Sequence, residues 1–143
     1  MNANLYSNAK FSITKFLKEL GQQMVPPIST FIDLDAHAEV DTLPKQDFIC
    51  TSAFSIQLNG KELMVFVGVG IGVWNDPDIT RLTTNMNTIV NAFLPEKQVP
   101  LWNGTNFSKW LVAADDLGVS PTLKSDQRAI QQAFVRLLTI PTN

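Results

Sequence analysis

The sequence predicts an α+β domain in the order α-βββ-α-ββ-α, an antiparallel sheet flanked by helices as one unit over residues 1–143. Three observations predict it. Apolar stripes at helical spacing lie near the start, the middle and the end of the chain. Two segments between them, Asp47–Leu58 and Lys61–Trp74, alternate with period two. Asn-Gly pairs at 59–60 and 103–104 are strong hairpin signals.

The first helix is expected over Asn8–Leu20. Leu5, Ala9, Ile13, Phe16, Leu17 and Leu20 form its stripe, with Lys10, Thr14 and Lys18 opposite. Ser7 or Asn8 suits its start, Gly21 its left-handed end, and Pro26-Pro27 prevents continuation. Strands are then expected over Ile28–Val40, Asp47–Leu58 and Lys61–Trp74. In the third, Leu63, Val65, Val67, Val69, Ile71 and Val73 share a face that must be core. Gly68, Gly70 and Gly72 on the other face leave the backbone open to close approach.

A second helix is expected over Pro77–Leu94, capped by Asp76 and stopped by Pro95. Ile79, Leu82, Met86, Ile89, Val90 and Phe93 form its stripe, and its uncharged Thr/Asn face suggests cover by another subunit. Val99–Trp102 and Asn106–Ala113 read as a second hairpin, although a helix around Phe107, Trp110 and Leu111 fits the spacing too. The last element is expected to be a helix over Asp126–Leu138, capped by Ser125, burying Ile130, Ala133, Phe134, Leu137 and Leu138. Repeats, low-complexity tracts and linkers do not occur.

Composition narrows the function. With 45% hydrophobic and 17% charged residues the chain is globular, and its net charge of −2 argues against nucleic acid. One cysteine, Cys50, excludes an internal disulfide, fits a reducing compartment and reads as a buried thiol. The N-terminal residues lack a signal pattern, and the longest apolar run, Leu63–Trp74, is too short for a membrane helix. A cytoplasmic protein without membrane insertion is therefore expected.

Chemistry-bearing motifs are few. In FIDLDAHAEVD, residues 31–41, the groups Asp33, Asp35, His37, Glu39 and Asp41 alternate with apolar residues. Same-face residues of a strand repeat about every 7 Å, whereas metal ligands converge within about 2–2.6 Å of one point. The stretch therefore reads as the solvated face of a strand and not as a metal site. Gly68-Val69-Gly70-Ile71-Gly72 lacks both the third fingerprint glycine and an immediate helix, so it does not read as a nucleotide loop. No GxSxG, Walker or HExxH pattern occurs, and His37 has no plausible nucleophile beside it. The residues describe a non-enzymatic interaction domain with no cofactor. Trp74, Trp102 and Trp110 are divided between core and partner contact.

The element order resembles the effector chaperones of bacterial type III secretion. The stretch from Pro26-Pro27 through Asp35-Ala36-His37-Ala38 is similar to the multi-effector subclass, class IB (SpaK/InvB-like). The resemblance implies a small cytoplasmic homodimer that binds extended N-terminal segments of secreted effector proteins and keeps them competent for secretion. It implies effector contacts at Phe11, Lys15, Ile28 and Phe31, and a dimer contact through Leu82, Met86, Ile89 and Phe93. The alternative is a phage tail-terminator or neck-type ring subunit.

Overall fold

A computed structural model describes residues 4–24, 26–31, 44–60, 62–114, 116–125 and 127–139. Among these residues two helices and eight strands follow in the order α1 (Leu5–Gln23), β1 (Ser29–Phe31), β2 (Phe48–Asn59), β3 (Glu62–Trp74), α2 (Thr80–Ala92), β4 (Gln98–Trp102), β5 (Phe107–Ala113), β6 (Gly118–Val119), β7 (Leu123–Ser125) and β8 (Arg128–Thr139). The α+β class holds. The acidic stretch 33–41 lies outside the described residues.

The strand order is β1-β2-β3-β8-β5-β4, with β6 and β7 also pairing along β8. Pairing is antiparallel except for β1, which runs parallel to β2. The expected hairpins form. Gly60 turns β2 into β3 at φ +65°, and Gly104 turns β4 toward β5 at φ +100°. Residues 107–113 are strand, which settles the ambiguity around Trp110.

The expected C-terminal helix is instead β8. It pairs with β3 from Met64–Leu138 to Trp74–Arg128. Ala129, Ala133, Val135 and Leu137 then join the β3 face of Val65, Val67, Val69 and Val73 in the core. The order α-βββ-α-ββ-α is corrected accordingly. Helical spacing within 126–138 loses to a ladder in which β8 pairs with β3 on one side and with β5, β6 and β7 on the other.

Both helices contribute to the same core. Ala9, Ile13 and Leu17 of α1 and Leu82, Met86, Ile89 and Phe93 of α2 are buried with the β3 valines. Helix α1 lies against β4 at one end of the strand order and against β1 and β2 at the other. Helix α2 lies against β3 and β8 in the middle. The sheet therefore curls, and α1 spans the gap between its ends. Gly21 lies inside α1, not at a left-handed end. An added Cβ there would stand 2.8 Å from the Ile28 carbonyl oxygen, where the chain turns back.

Helix α2 starts later than expected, at Thr80, but Asp76 still satisfies one of its orphan donors. Its Oδ2 accepts the Leu82 N–H at 3.0 Å. The glycine face of β3 is filled by the chain itself. A Cβ at Gly72 would lie 2.2 Å from the Phe48 ring, and one at Gly68 would lie 2.7 Å from Ser52 Oγ. Phe48, Cys50 and Ile130 make a second small core there, with Phe31 packed on it.

Candidate binding surface

Helix α1 turns Ala9, Ser12, Ile13 and Leu17 inward, so Tyr6, Phe11, Lys15 and Lys18 are left outside. The β4–β5 hairpin is fastened beside them. Trp102 donates its backbone N–H to Ser12 Oγ at 2.8 Å, and Ser12 Oγ donates to the Asn8 carbonyl at 2.7 Å. Asn103 Oδ1 accepts the N–H groups of Thr105 and Asn106, which tightens the hairpin turn. Phe107, Trp102 and Phe11 are thereby brought to one place.

Phe11 lies 5.9 Å from the Trp102 ring and 6.5 Å from the Phe107 ring, and Trp102 and Phe107 are 5.0 Å apart. The Lys15 ammonium stands 5.4 Å from the Phe107 ring centre and pairs with Glu19 one turn on. An open groove follows, walled by Phe16, Pro100, Phe107 and Trp110 with Lys15 and Glu19 at its rim. Phe11 is 49% exposed and Trp110 42%. Large rings held this far into solvent by a rigid frame offer burial to something else.

Lys10 and Lys18 flank the cluster on α1, and Lys10 stands 5.9 Å from the Tyr6 ring centre. Tyr6 itself meets Phe54 of β2 edge-on at 5.4 Å. The surface thus runs from Tyr6 along α1 to Trp110. Its means are stacking, apolar burial and positive charge.

The expected site residues are divided by the fold. Phe11 and Lys15 lie at the centre of this surface. Ile28 is buried in the main core, its N–H donated to the Gly21 carbonyl, so it does not face a partner. Phe31 packs edge-on against Phe48 at 5.9 Å, on the second core. The residues assigned to a dimer contact, Leu82, Met86, Ile89 and Phe93, are at most 5% exposed within their own chain. Their role as an interface is corrected, because side chains already buried at home cannot be offered to a second subunit. Thr83, Thr84, Asn87 and Asn91 of the same helix face outward. The sequence divides Trp102 and Trp110 between core and partner contact and does not single out Phe16 or Phe107 as binding residues. Three large aromatics within a nine-residue hairpin, Trp102 to Trp110, were the signal available.

A second exposed apolar area lies on the sheet face carrying Gly68. Phe66 and Phe134 are 37% and 44% exposed there. Asp116 and Arg136 border them, paired at 2.9 Å. A third cluster is structural. Asp47 takes Arg81 Nε at 2.8 Å and Nη2 at 3.1 Å and also accepts the Trp74 N–H at 3.0 Å. The Asp47 hydrogen bonds hold Arg81 firmly in its charged form and raise its pKa. The cluster ties β2, β3 and α2 together. Among the described residues no group of three His, Cys, Asp or Glu side chains could hold a metal ion. No described helix is long and apolar enough to cross a membrane.

No protein-family model matches the chain, and no curated protein matches it. Solved structures do. One that bears no functional name superposes with a TM-score of 0.63 at 7% identity, covering 96% of this chain and 96% of its own. The likeness at that identity is one of fold, over the whole chain.

Proposed function

We propose that this protein is a holdase-like secretion chaperone: it shields an apolar segment of a secreted effector protein on the α1–β4–β5 surface. It needs no catalytic group or cofactor for this, and it works in the cytoplasm as a homodimer. The observation that carries the reading is the exposed ring cluster of Phe11, Phe107 and Trp110 beside Lys15. Such a surface stays soluble through its charges while offering rings to a partner. Type III effectors are the partners that the sequence resemblance suggests. One element behind that resemblance, the third helix, is a strand, so the proposal rests on the surface.

The test is Phe11→Ala. Burying a ring of this kind contributes about 1.5–3 kcal/mol, so its loss weakens a bound segment by roughly tenfold to a hundredfold. The Phe11 contacts with Trp102 and Phe107 contribute only about 0.5–1.5 kcal/mol each to the fold, so melting falls by a few degrees. Titration against N-terminal effector segments reads the first effect, and calorimetry the second. Unchanged affinity in Phe11→Ala and Trp110→Ala alike sinks the proposal.

A further inference from the structure

We propose that Asn103 is a self-modifying residue: the Gly104 backbone nitrogen closes a succinimide on its side chain, in a turn whose own amides stabilise the charge of that step. Asn103-Gly104 forms the exposed tip of the β4–β5 hairpin. Gly104 has no Cβ to shield its nitrogen, and even an added one would meet nothing nearer than Asn8 Nδ2 at 4.0 Å. Asn103 Oδ1 accepts the N–H of Thr105 at 2.8 Å and that of Asn106 at 2.9 Å. The ring closed by the Thr105 bond contains the Gly104 nitrogen, so Asn103 Cγ and that nitrogen are held in one small loop. The loop is fixed in turn by the Asn103 N–H, donated to the Asn106 carbonyl at 3.0 Å.

Those two donors do what an oxyanion hole does, and both fall within its distance range of about 2.7–3.1 Å. In the step, the Gly104 nitrogen gives up its proton and bonds to Asn103 Cγ. The carbonyl electrons move onto Oδ1, where two amides receive the charge. The Cγ–Nδ2 bond then breaks, and the nitrogen leaves as ammonia with the proton. Water opens the succinimide at either carbonyl and leaves aspartate or isoaspartate. The balance needs only the chain and water. Either product disturbs the turn. Aspartate lacks the Nδ2 donor that now reaches Asn106 Oδ1 at 3.0 Å. Isoaspartate takes its Cβ into the main chain, and the lengthened turn pulls on Trp102, whose N–H seats the hairpin on Ser12 Oγ. The reaction is thus a timer on the ring cluster of Phe11, Trp102 and Phe107, and it is independent of the binding role proposed above.

The experiment follows residue 103 of the full chain by peptide mass analysis during storage at mildly alkaline pH. Native protein should convert about tenfold faster than the same chain held unfolded in urea, which corresponds to about 1.4 kcal/mol of stabilised charge. Thr105→Pro removes the donor at 2.8 Å. Thr105 is not in the left-handed region, so proline meets no such strain there. This variant should slow conversion roughly two- to tenfold. Thr105→Ala keeps the N–H and should convert like the parent. Conversion no faster in native protein than in urea overturns the proposal. So does an equal slowing by Thr105→Ala and Thr105→Pro. In converted protein the Trp102 amide hydrogen should exchange faster than in fresh protein. Unchanged exchange overturns the timer.

Discussion

At the scale of single residues, the second face of β3 shows how little room the chain leaves itself. Phe48 is almost wholly buried and its ring lies on Gly72, where any Cβ would intrude to 2.2 Å. Gly72→Ala should therefore cost about 1–3 kcal/mol, read as a lower denaturant midpoint with an unchanged slope. Adding Phe48→Leu should recover part of that loss, because the two changes share one space and do not add. Full additivity would place the strain elsewhere. Cys50 sits in the same small core. Burial pushes its thiol up to about 12, against a smaller opposing effect from a hydrogen bond with the Gly70 backbone. The folded state thus holds the proton more tightly than the unfolded chain. Stability from this group is intact below about pH 9 and is lost as pH rises from there toward 12. Folded protein at pH 8 should resist an aromatic disulfide reagent, and Cys50→Ala should remove that part of the alkaline loss. Prompt labelling of native protein contradicts the burial.

At the scale of elements, α2 changes meaning between sequence and structure. Its stripe is legible from spacing alone, but the stripe does not say whose core it enters. Leu82 and Ile89 are fully buried against β3 and β8 of their own chain. Leu82→Asp should therefore abolish cooperative unfolding by burying an unpaired charge, and should not yield a folded monomer. A folded, monomeric Leu82→Asp would return the stripe to an interface role. The first helix, the β2–β3 hairpin and the β4–β5 hairpin were legible because stripe, alternation and Asn-Gly turns agree there. Strand β8 was not. Its core side carries Ala129, Ala133, Val135 and Leu137, but also Gln131, whose amide donates to the Ser120 carbonyl at 2.9 Å. Its other side buries Ile130 and pairs Gln132 with Ser52 Oγ at 2.9 Å before exposing Phe134. A central strand wetted and buried on both sides loses its alternation, and Ala, Gln, Arg and Leu then mimic a helix. The binding surface was half legible. Phe11 and Lys15 stand out on a helix, whereas Trp102 and Phe107 join them only through the Ser12 hydrogen bond that seats the hairpin.

At the scale of the whole molecule, two exposed apolar areas differ in the symmetry of their charge, and that difference assigns them different work. The α1 surface carries three lysines, Lys10, Lys15 and Lys18, against the single Glu19, so a copy of it would set lysine mostly against lysine. The area around Phe66 and Phe134 carries both signs, Asp116 and Arg136, at its border. A two-fold contact needs a patch that complements its own copy, and an apolar centre between opposite charges meets that need. The proposed homodimer is therefore expected through this sheet face, in place of α2. It leaves the α1 surfaces of both subunits free for segments of a partner. Light scattering at micromolar concentration should report twice the chain mass of 15.9 kDa. Phe134→Glu should give a monomer that melts within a few degrees of the parent, because the ring is 44% exposed in the single chain. Asp116→Arg should weaken the dimer by setting like charges across it, and adding Arg136→Asp should restore it by exchanging the signs. A parent protein that is monomeric throughout removes the dimer. A dimer indifferent to Phe134→Glu moves it to another face.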